Sequence, residues 1–499
     1  MSSSVSKSTT PVNVPNAASA EGLDEKVTRV AIIGAGPAGL LAAILLLRRN
    51  LDAASSPGKS KYFVTLVDPG HDYGKLDAEG LKKSRSWMIG LTAHGIDALR
   101  QVPDLFEGYV EEHAVRLRSF IYGVGSTIQL PVPCNAKIKE CTIDRNFICH
   151  ALARYLNEHF GPHASEKDDG CLPGFLDVKY HTRALFVDAD NQCVMMRGPE
   201  DGKGMSSLPY DLLLGCDGIR SVVRNAFLTR HRDFTFDVRG EHATSKSVHV
   251  PRPDSVAGST LFLIADCLPN MFAFVLPETG DVLNLAYTIS LDDEIPTELK
   301  SDDATVVAKY VKEKLRGLDG IDCDEFGKQW VEQDWSTTGQ SHCNFYHSHK
   351  LSALLIGDAA HATVPNIGQG MNTALADAAV LNRLLDEHGD DDLPTVLSAF
   401  SEERVKEGNA LTELSFHSFS LSISAQIMIM IRQNVRRLLN NIFPSWLVSP
   451  EPMQEIGRGM KLSEAYDRMH KLGYLARSRR INDDIMRRHF ERKVGMIKD

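Results

Sequence analysis

The sequence has no C-x-x-C pair and no zinc-type spacing among its nine cysteines, which are scattered from Cys134 to Cys343. An odd, scattered set excludes a disulfide framework and reads as free thiols in a reducing compartment, with no metal site. No run reaches the ~18 apolar residues that a membrane-spanning helix needs. Residues 40–47 and 423–431 come nearest, and both are too short. A basic excess is missing as well. The formal net charge is -10, which argues against a nucleic-acid partner. Residues 1–26 contain neither an aromatic side chain nor an arginine. They read as a disordered leader, and Glu21, Asp24 and Glu25 count against a transit peptide. These absences leave an intracellular chain, cytoplasmic or peripherally bound to a membrane.

What remains is ordinary globular material, 43% hydrophobic and 24% charged over 499 residues. That length allows about two to four domain-sized units. Charge is concentrated at the end, where Arg477, Arg479, Arg480, Arg487, Arg488, Arg492 and Lys493 lie close together. Such a run is a solvated helical face, or a contact for an anionic membrane or a protein partner.

Three apolar runs end in glycine or aspartate corners. Residues 30–33 lead into Gly34-Ala35-Gly36-Pro37-Ala38-Gly39, followed by an apolar helix and a second strand ending at Asp68. This is a G-x-G-x-x-G between strand and helix. Gly34 permits the turn, Gly36 lets the backbone approach a pyrophosphate, and Gly39 lets helix pack on strand. The helix N-terminus attracts the diphosphate, and Asp68 is placed for a ribose hydroxyl. Residues 212–215 lead into Cys216-Asp217-Gly218, and residues 353–356 into Gly357-Asp358. Three strands with such corners predict one parallel sheet assembled from distant segments. Between the second and third corners lie β-branched runs spaced by turns, at 259–265, 271–276 and 282–290, the pattern of an antiparallel sheet. After Met371 the pattern is helical.

The ordered set of three corners resembles the class A flavoprotein monooxygenases, the p-hydroxybenzoate hydroxylase type. The stretch from Gly357 through Pro365, Gly368, Gly370, Met371 and Asn372 is most similar to the kynurenine 3-monooxygenase branch. The resemblance implies an α/β fold: a Rossmann-like FAD-binding domain (27–225 and 338–390, with part of the substrate sheet near 112–135), an inserted antiparallel substrate domain (226–337) and a helical C-terminal region (391–499). It implies FAD as cofactor, with NADPH or NADH and O2 as co-substrates and a small aromatic molecule as substrate, hydroxylated through a flavin hydroperoxide. Asp358 would hold the ribityl chain, Pro365 would lie against the ring, and residues 368–372 would open a helix toward its polar edge. Arg85 and Arg145 are similar to family arginines near FAD. The Asp217-Gly218 corner would serve both FAD and the nicotinamide phosphates, and no second G-x-G-x-x-G is present. Arg118 is similar to the arginine that pairs with a substrate carboxylate, and Asn372 to a residue near both flavin and substrate.

The substrate side departs from that branch. Val132 stands where it places a tyrosine, and Asn366-Ile367 where it has two aromatic residues. Loss of hydrogen-bonding groups changes which polar substrate is accepted. The cofactor site is therefore expected to be kept and the substrate pocket altered, so that kynurenine and another aromatic metabolite both stay open. A flavin reductase without oxygen transfer and a non-catalytic FAD-binding scaffold are the competing readings.

Overall fold

A strand buried on both faces has no use for alternation, and the first strand loses it after Arg29. β1 (Val27–Ile33) is fully buried from Val30 onward, as a parallel-sheet interior requires. It turns into α1 (Pro37–Ala54), whose Leu40, Leu41 and Ile44 are fully covered, and β2 (Lys61–Val67) returns parallel to β1. The computed structural model describes residues 27–495 except 55–60, 84–86, 127, 135–139, 163–173, 203, 240–242, 292, 338, 419, 421 and 444–446. Arg85 and the expected leader therefore lie outside the described residues.

The chain continues through β3 (Met88–Leu91), α2 (Ala93–Leu99), the hairpin β4 (Ser119–Val124) and β5 (Ile128–Pro133), then β6 (Cys141–Asp144) and α3 (Arg145–Phe160). β7 (Leu176–Lys179) and β8 (Leu212–Gly215) rejoin the central sheet, and α4 (Val222–Arg230) follows. Next come β9 (Ala243–Pro251), β10 (Thr260–Leu268), β11 (Met271–Glu278) and β12 (Val282–Ser290), then α5 (Ala304–Lys314) and α6 (Cys323–Glu332). β13 (Ala353–Leu355) closes the sheet set. The remainder is helical: α7 (Gly370–His388), α8 (Leu393–His417), α9 (Ile423–Ile442), α10 (Pro452–Gly457), α11 (Leu462–Lys471) and α12 (Tyr474–Lys493).

The central sheet runs β13-β8-β1-β2-β7 in parallel, with His347–Ser348 antiparallel at the β13 edge. The three corners thus leave neighbouring strands at the same, C-terminal edge, where open α/β sheets bind ligands. The second sheet has seven strands, Ser336–Thr337 followed by β9-β12-β11-β10-β4-β5. It is not wholly antiparallel as the sequence pattern suggests: β4 and β10 pair in parallel. No hairpin links these two strands, so no turn dictates their direction. A further three-stranded sheet, Arg183–Asp188, Cys193–Arg197 and Ser206–Pro209, sits between β7 and β8 without having been expected.

The two faces of the second sheet are covered differently. Ile264, Ala273, Val275, Leu285 and Tyr287 face α5 and α6, packing with Phe326 and Trp330. On the other face, Tyr122, Val124, Leu263 and Phe274 meet α9 through Ile423, Ile427 and Met430. The outward side of α9 carries exposed Met428, Ile431, Val435, Leu438 and Ile442. No helix among the described residues is long and apolar enough to cross a membrane.

Trp330 anchors the α5–α6 side. It is fully buried, stacks on Phe326 with centroids 5.3 Å apart, and donates its indole N–H to Leu299 O at 3.0 Å. Trp330→Ala is expected to lower unfolding stability by about 3–5 kcal/mol. Chemical denaturation checks this, and a loss below about 0.5 kcal/mol, the size of a surface substitution, would contradict the packing.

Candidate active site

The three corners are built on contacts that only glycine permits. Gly34 has φ +107°, and a Cβ there would stand 2.2 Å from Cys216 O in the second corner. A Cβ on Gly39 would stand 2.0 Å from Gly34 O. The strand ladder extends past the strand ends to fix the corners side by side: Gly34 N–H donates to Val67 O at 2.8 Å, Cys216 N–H to Ile33 O at 2.8 Å, and Ile356 N–H to Gly215 O at 3.0 Å. Asp68 ends β2 and braces the first corner. Its two oxygens accept from Ala35 N–H at 2.7 Å and Gly70 N–H at 2.6 Å.

The groups facing the cleft are of a different kind. Asp358 is exposed to solvent yet so enclosed that burial raises its pKa, with His361 and Arg145 opposing the shift. Solvent access inside an enclosing wall marks the floor of a cleft. Arg145, at the N-terminus of α3, approaches Gly36, its Nη2 lying 4.0 Å from the point where a Cβ would begin. It also acts electrostatically on Asp358 and Tyr73, so it bridges the first and third corners. Asp217 accepts from Val222 N–H at 2.7 Å through one oxygen, while its other oxygen, Oδ1, is buried with no partner among the described residues. Gly218 (φ +74°) and Gly368 (φ +64°) have no atom within 4 Å of where a Cβ would stand. α7 begins at Gly370, and no side chain caps it. Its first N–H groups and partial positive charge are left for an acceptor.

Behind the cleft lies a buried ionic network. Asp377 of α7 accepts from Gly357 N–H at 2.9 Å and contacts His361 Nε2 at 2.7 Å through one oxygen, and accepts from Arg404 Nε at 2.6 Å through the other. Asp377 and His361 are both fully buried. Burial alone would raise the Asp377 pKa, but His361 and Arg404 outweigh it and hold the carboxyl below its usual range. Both ends of the 357–361 turn are thereby tied to α7 and α8.

The FAD binding domain family matches residues 172–415. Violacein synthase of Chromobacterium violaceum is 27% identical over 300 residues, spanning 59% of this chain and 68% of that protein. Kynurenine 3-monooxygenase of Anopheles gambiae is 25% identical over 411 residues, 80% of this chain and 75% of that protein. The chain is similar to FAD-dependent monooxygenases along most of its length. At the level of fold, Klebsiella pneumoniae HpxO, solved as a complex with FAD, superposes with a TM-score of 0.55 at 16% identity, over 90% of this chain and 99% of that one. The cleft fits FAD on its own evidence. An orphaned carboxylate oxygen at Asp217, an accessible acid at Asp358, Arg145 near Gly36 and Asp358, and two open glycine positions suit the hydroxyls and phosphates of a dinucleotide.

The structure brings Gly34, Gly36, Gly39, Asp68, Arg145, Asp217, Gly218, Gly357 and Asp358 together around this cleft. Pro365 is exposed in the turn Pro365–Ile367, which leads through Gly368 into α7 with Met371 half-buried. That turn is backed by α8 and α10: Asn366 Nδ2 donates to Ser415 O at 3.1 Å, and Ile367 packs with the Leu411 and Ile456 cluster. Asn372 opens α7 on its inner side. It is fully buried, accepts from Thr92 N–H at 2.9 Å, and donates to Gly90 O at 2.8 Å and Gly368 O at 2.9 Å. With both amide hydrogens committed and no exposed surface, it clamps α7 to β3. Arg118 is exposed immediately before β4, its backbone N–H donating to Ser259 O. Asp377 and Arg404 escaped the sequence reading. The signal was present: each is a charge on an otherwise apolar helix stripe, beside Ala374, Leu375 and Ala378 in one case and Leu397 and Phe400 in the other.

Asp358→Ala is expected to purify without flavin absorbance while its far-ultraviolet circular dichroism stays unchanged; retained yellow colour would refute the assignment. Asp377→Asn leaves Arg404 without its anion, and truncating one partner of a buried ion pair costs about 3–5 kcal/mol. The folded Asp377 pKa is lowered, so the wild-type contribution is complete above the unfolded value of about 3.9 and is lost as pH falls through the lower folded value. Thermal melts from pH 3 to 7 should therefore show a large destabilisation of Asp377→Asn at neutral pH that narrows in acid.

Proposed function

We propose that this protein consumes NADPH or NADH and O2 to hydroxylate an aromatic substrate, in the manner of kynurenine 3-monooxygenase. The observation that carries this is the pairing of an enclosed but accessible Asp358 with an uncapped α7 N-terminus, and the same chain carries a second-sheet face with partly exposed aromatic residues. Bound FAD supplies the redox and oxygen chemistry; the protein supplies grip, field and exclusion of water.

Asp358, Asp217 and Arg145 would hold the cofactor's hydroxyls and phosphates, and the glycine corners would admit its backbone approach. The α7 N-terminus would stabilise negative charge on the polar edge of the ring, because its partial positive charge is fixed in place before the reaction begins. The chain's own residues need no nucleophile. They position an electron-rich ring and keep water away from it. The altered position 132, opposite Phe120 in the β4–β5 pairing, favours an aromatic metabolite other than kynurenine as the second reading of the substrate.

Stopped-flow reduction of the purified holoenzyme by NADPH and by NADH, across aromatic acids that include kynurenine, tests the proposal. The true substrate should speed flavin reduction by about tenfold or more, a barrier change of roughly 1.4 kcal/mol, and yield a hydroxylated product. Reduction with no oxygenated product from any aromatic would make the protein a reductase, and no reduction at all would make it a scaffold.

A further inference from the structure

The partly exposed face of the second sheet carries a cross-strand row. Tyr122 on β4 lies opposite Leu263 on β10, Leu263 opposite Phe274 on β11, and Phe274 opposite Ala286 on β12. All four keep some exposure, while Ile264, Ala273, Val275 and Tyr287, on the opposite face, have none. Large apolar side chains left partly uncovered inside a domain, with a few converging polar groups, are what a small-molecule chamber is made of.

Tyr122 is the only member of that row whose side chain forms hydrogen bonds. The protein encloses it, and burial raises its phenol pKa, so the hydroxyl keeps its proton. Two charged groups from the C-terminal helices act on it, Arg437 of α9 and Glu451 just before α10. Glu451 is 3% exposed, and its carboxylate meets the Met453 backbone N–H but no side-chain hydrogen-bond donor among the described residues; Arg437 Nη1 is buried and has no partner there. Arg436 Nε stands 4.0 Å from Glu451 Oε2, and burial against that charge leaves the Glu451 pKa at about 7. Neither Glu451 nor Arg437 Nη1 therefore bonds to the phenol. Buried polar groups left open in this way are completed by water or by a ligand.

We propose that Tyr122 is the specificity-determining residue of this chamber, its phenol donating a hydrogen bond to a ketone or carboxylate oxygen of the aromatic substrate. Arg437 beside it favours negative charge on that oxygen. The inference rests on the hydroxylase reading above and deepens it, because it names the functional group that the chamber selects.

The test compares wild-type holoenzyme with Tyr122→Phe, a change that keeps the ring and removes only the hydroxyl. Both are titrated with L-kynurenine, anthranilate, indole-3-acetate and unsubstituted indole while flavin absorbance and NADPH oxidation are followed. For each oxygen-bearing probe that wild type binds, Tyr122→Phe should raise Kd by about tenfold. Indole should change by less than about twofold, with FAD content and melting temperature unaltered. Equal affinity for the oxygen-bearing probes in both proteins, or an equal loss for indole, overturns the role of Tyr122 and leaves the hydroxylase reading standing. Wild type that responds to none of the four probes, in either absorbance or NADPH oxidation, overturns the inference together with the aromatic-hydroxylase reading.

Discussion

Asp377 places a carboxylate where no water reaches it, and a buried charge is tolerated only when its lone pairs are met by donors. Here the donors come from two separate stretches, Gly357 N–H and His361 from the third corner and Arg404 from α8, while Asp377 itself belongs to a third, α7. None of these groups faces the cleft. Their joint effect is to fix the 357–361 turn, and the turn's second residue is Asp358. One acid is buried so that another, nineteen positions earlier in the chain, is presented at a defined place. The arrangement also explains why α8, which contributes nothing to the corners themselves, belongs to the cofactor site.

The same economy governs the front of the cleft. Three corners from widely separated parts of the chain meet because three strands are neighbours in one parallel sheet. Their approach is closer than any side chain would allow, as the Gly34–Cys216 and Gly39–Gly34 contacts show. Asp68 adds a brace from β2, joining its carboxylate to the first corner's N–H. The corners are therefore one rigid object. What it leaves open, at Gly218, Gly368 and the uncapped start of α7, is backbone, and backbone N–H groups in a fixed frame suit phosphates and a charged ring edge.

These features were legible in the sequence to the extent that they depend on neighbours along the chain. The corners, the apolar runs at 212–215 and 353–356, and the helical pattern after Met371 are all short-range matters of glycine, aspartate and apolar residues. The parallel pairing of β4 with β10 was not legible, because nothing local sets the relative direction of strands that no hairpin joins. The three-stranded sheet from Arg183 to Pro209 was passed over because its short strands carry mixed apolar and polar residues with half-exposed faces. The structural role of Asn372 was not legible for a related reason. A resemblance places a residue near a ligand, but only the three hydrogen bonds to Thr92, Gly90 and Gly368 show that its amide is already committed. Asp377 and Arg404 could have been flagged as charges on apolar stripes, though their mutual contact is visible only in space.

The two halves of the site are held by different kinds of constraint, and this bears on how far similarity carries. The cofactor half is fixed by backbone: a Cβ at Gly34 or Gly39 collides with the main chain, so drift there is opposed by the fold itself. The chamber half is fixed by side chains on a sheet face, and exchanging one partly exposed residue for another there leaves the strand pairing intact. Violacein synthase and kynurenine 3-monooxygenase, related to this chain at 27% and 25% identity, are named for different molecules. That is the expected outcome when one half of a site is tied to the backbone and the other is not. Similarity at this level therefore speaks to the shared cofactor, while the choice of substrate has to be read from the chamber's own residues, Tyr122 foremost among them.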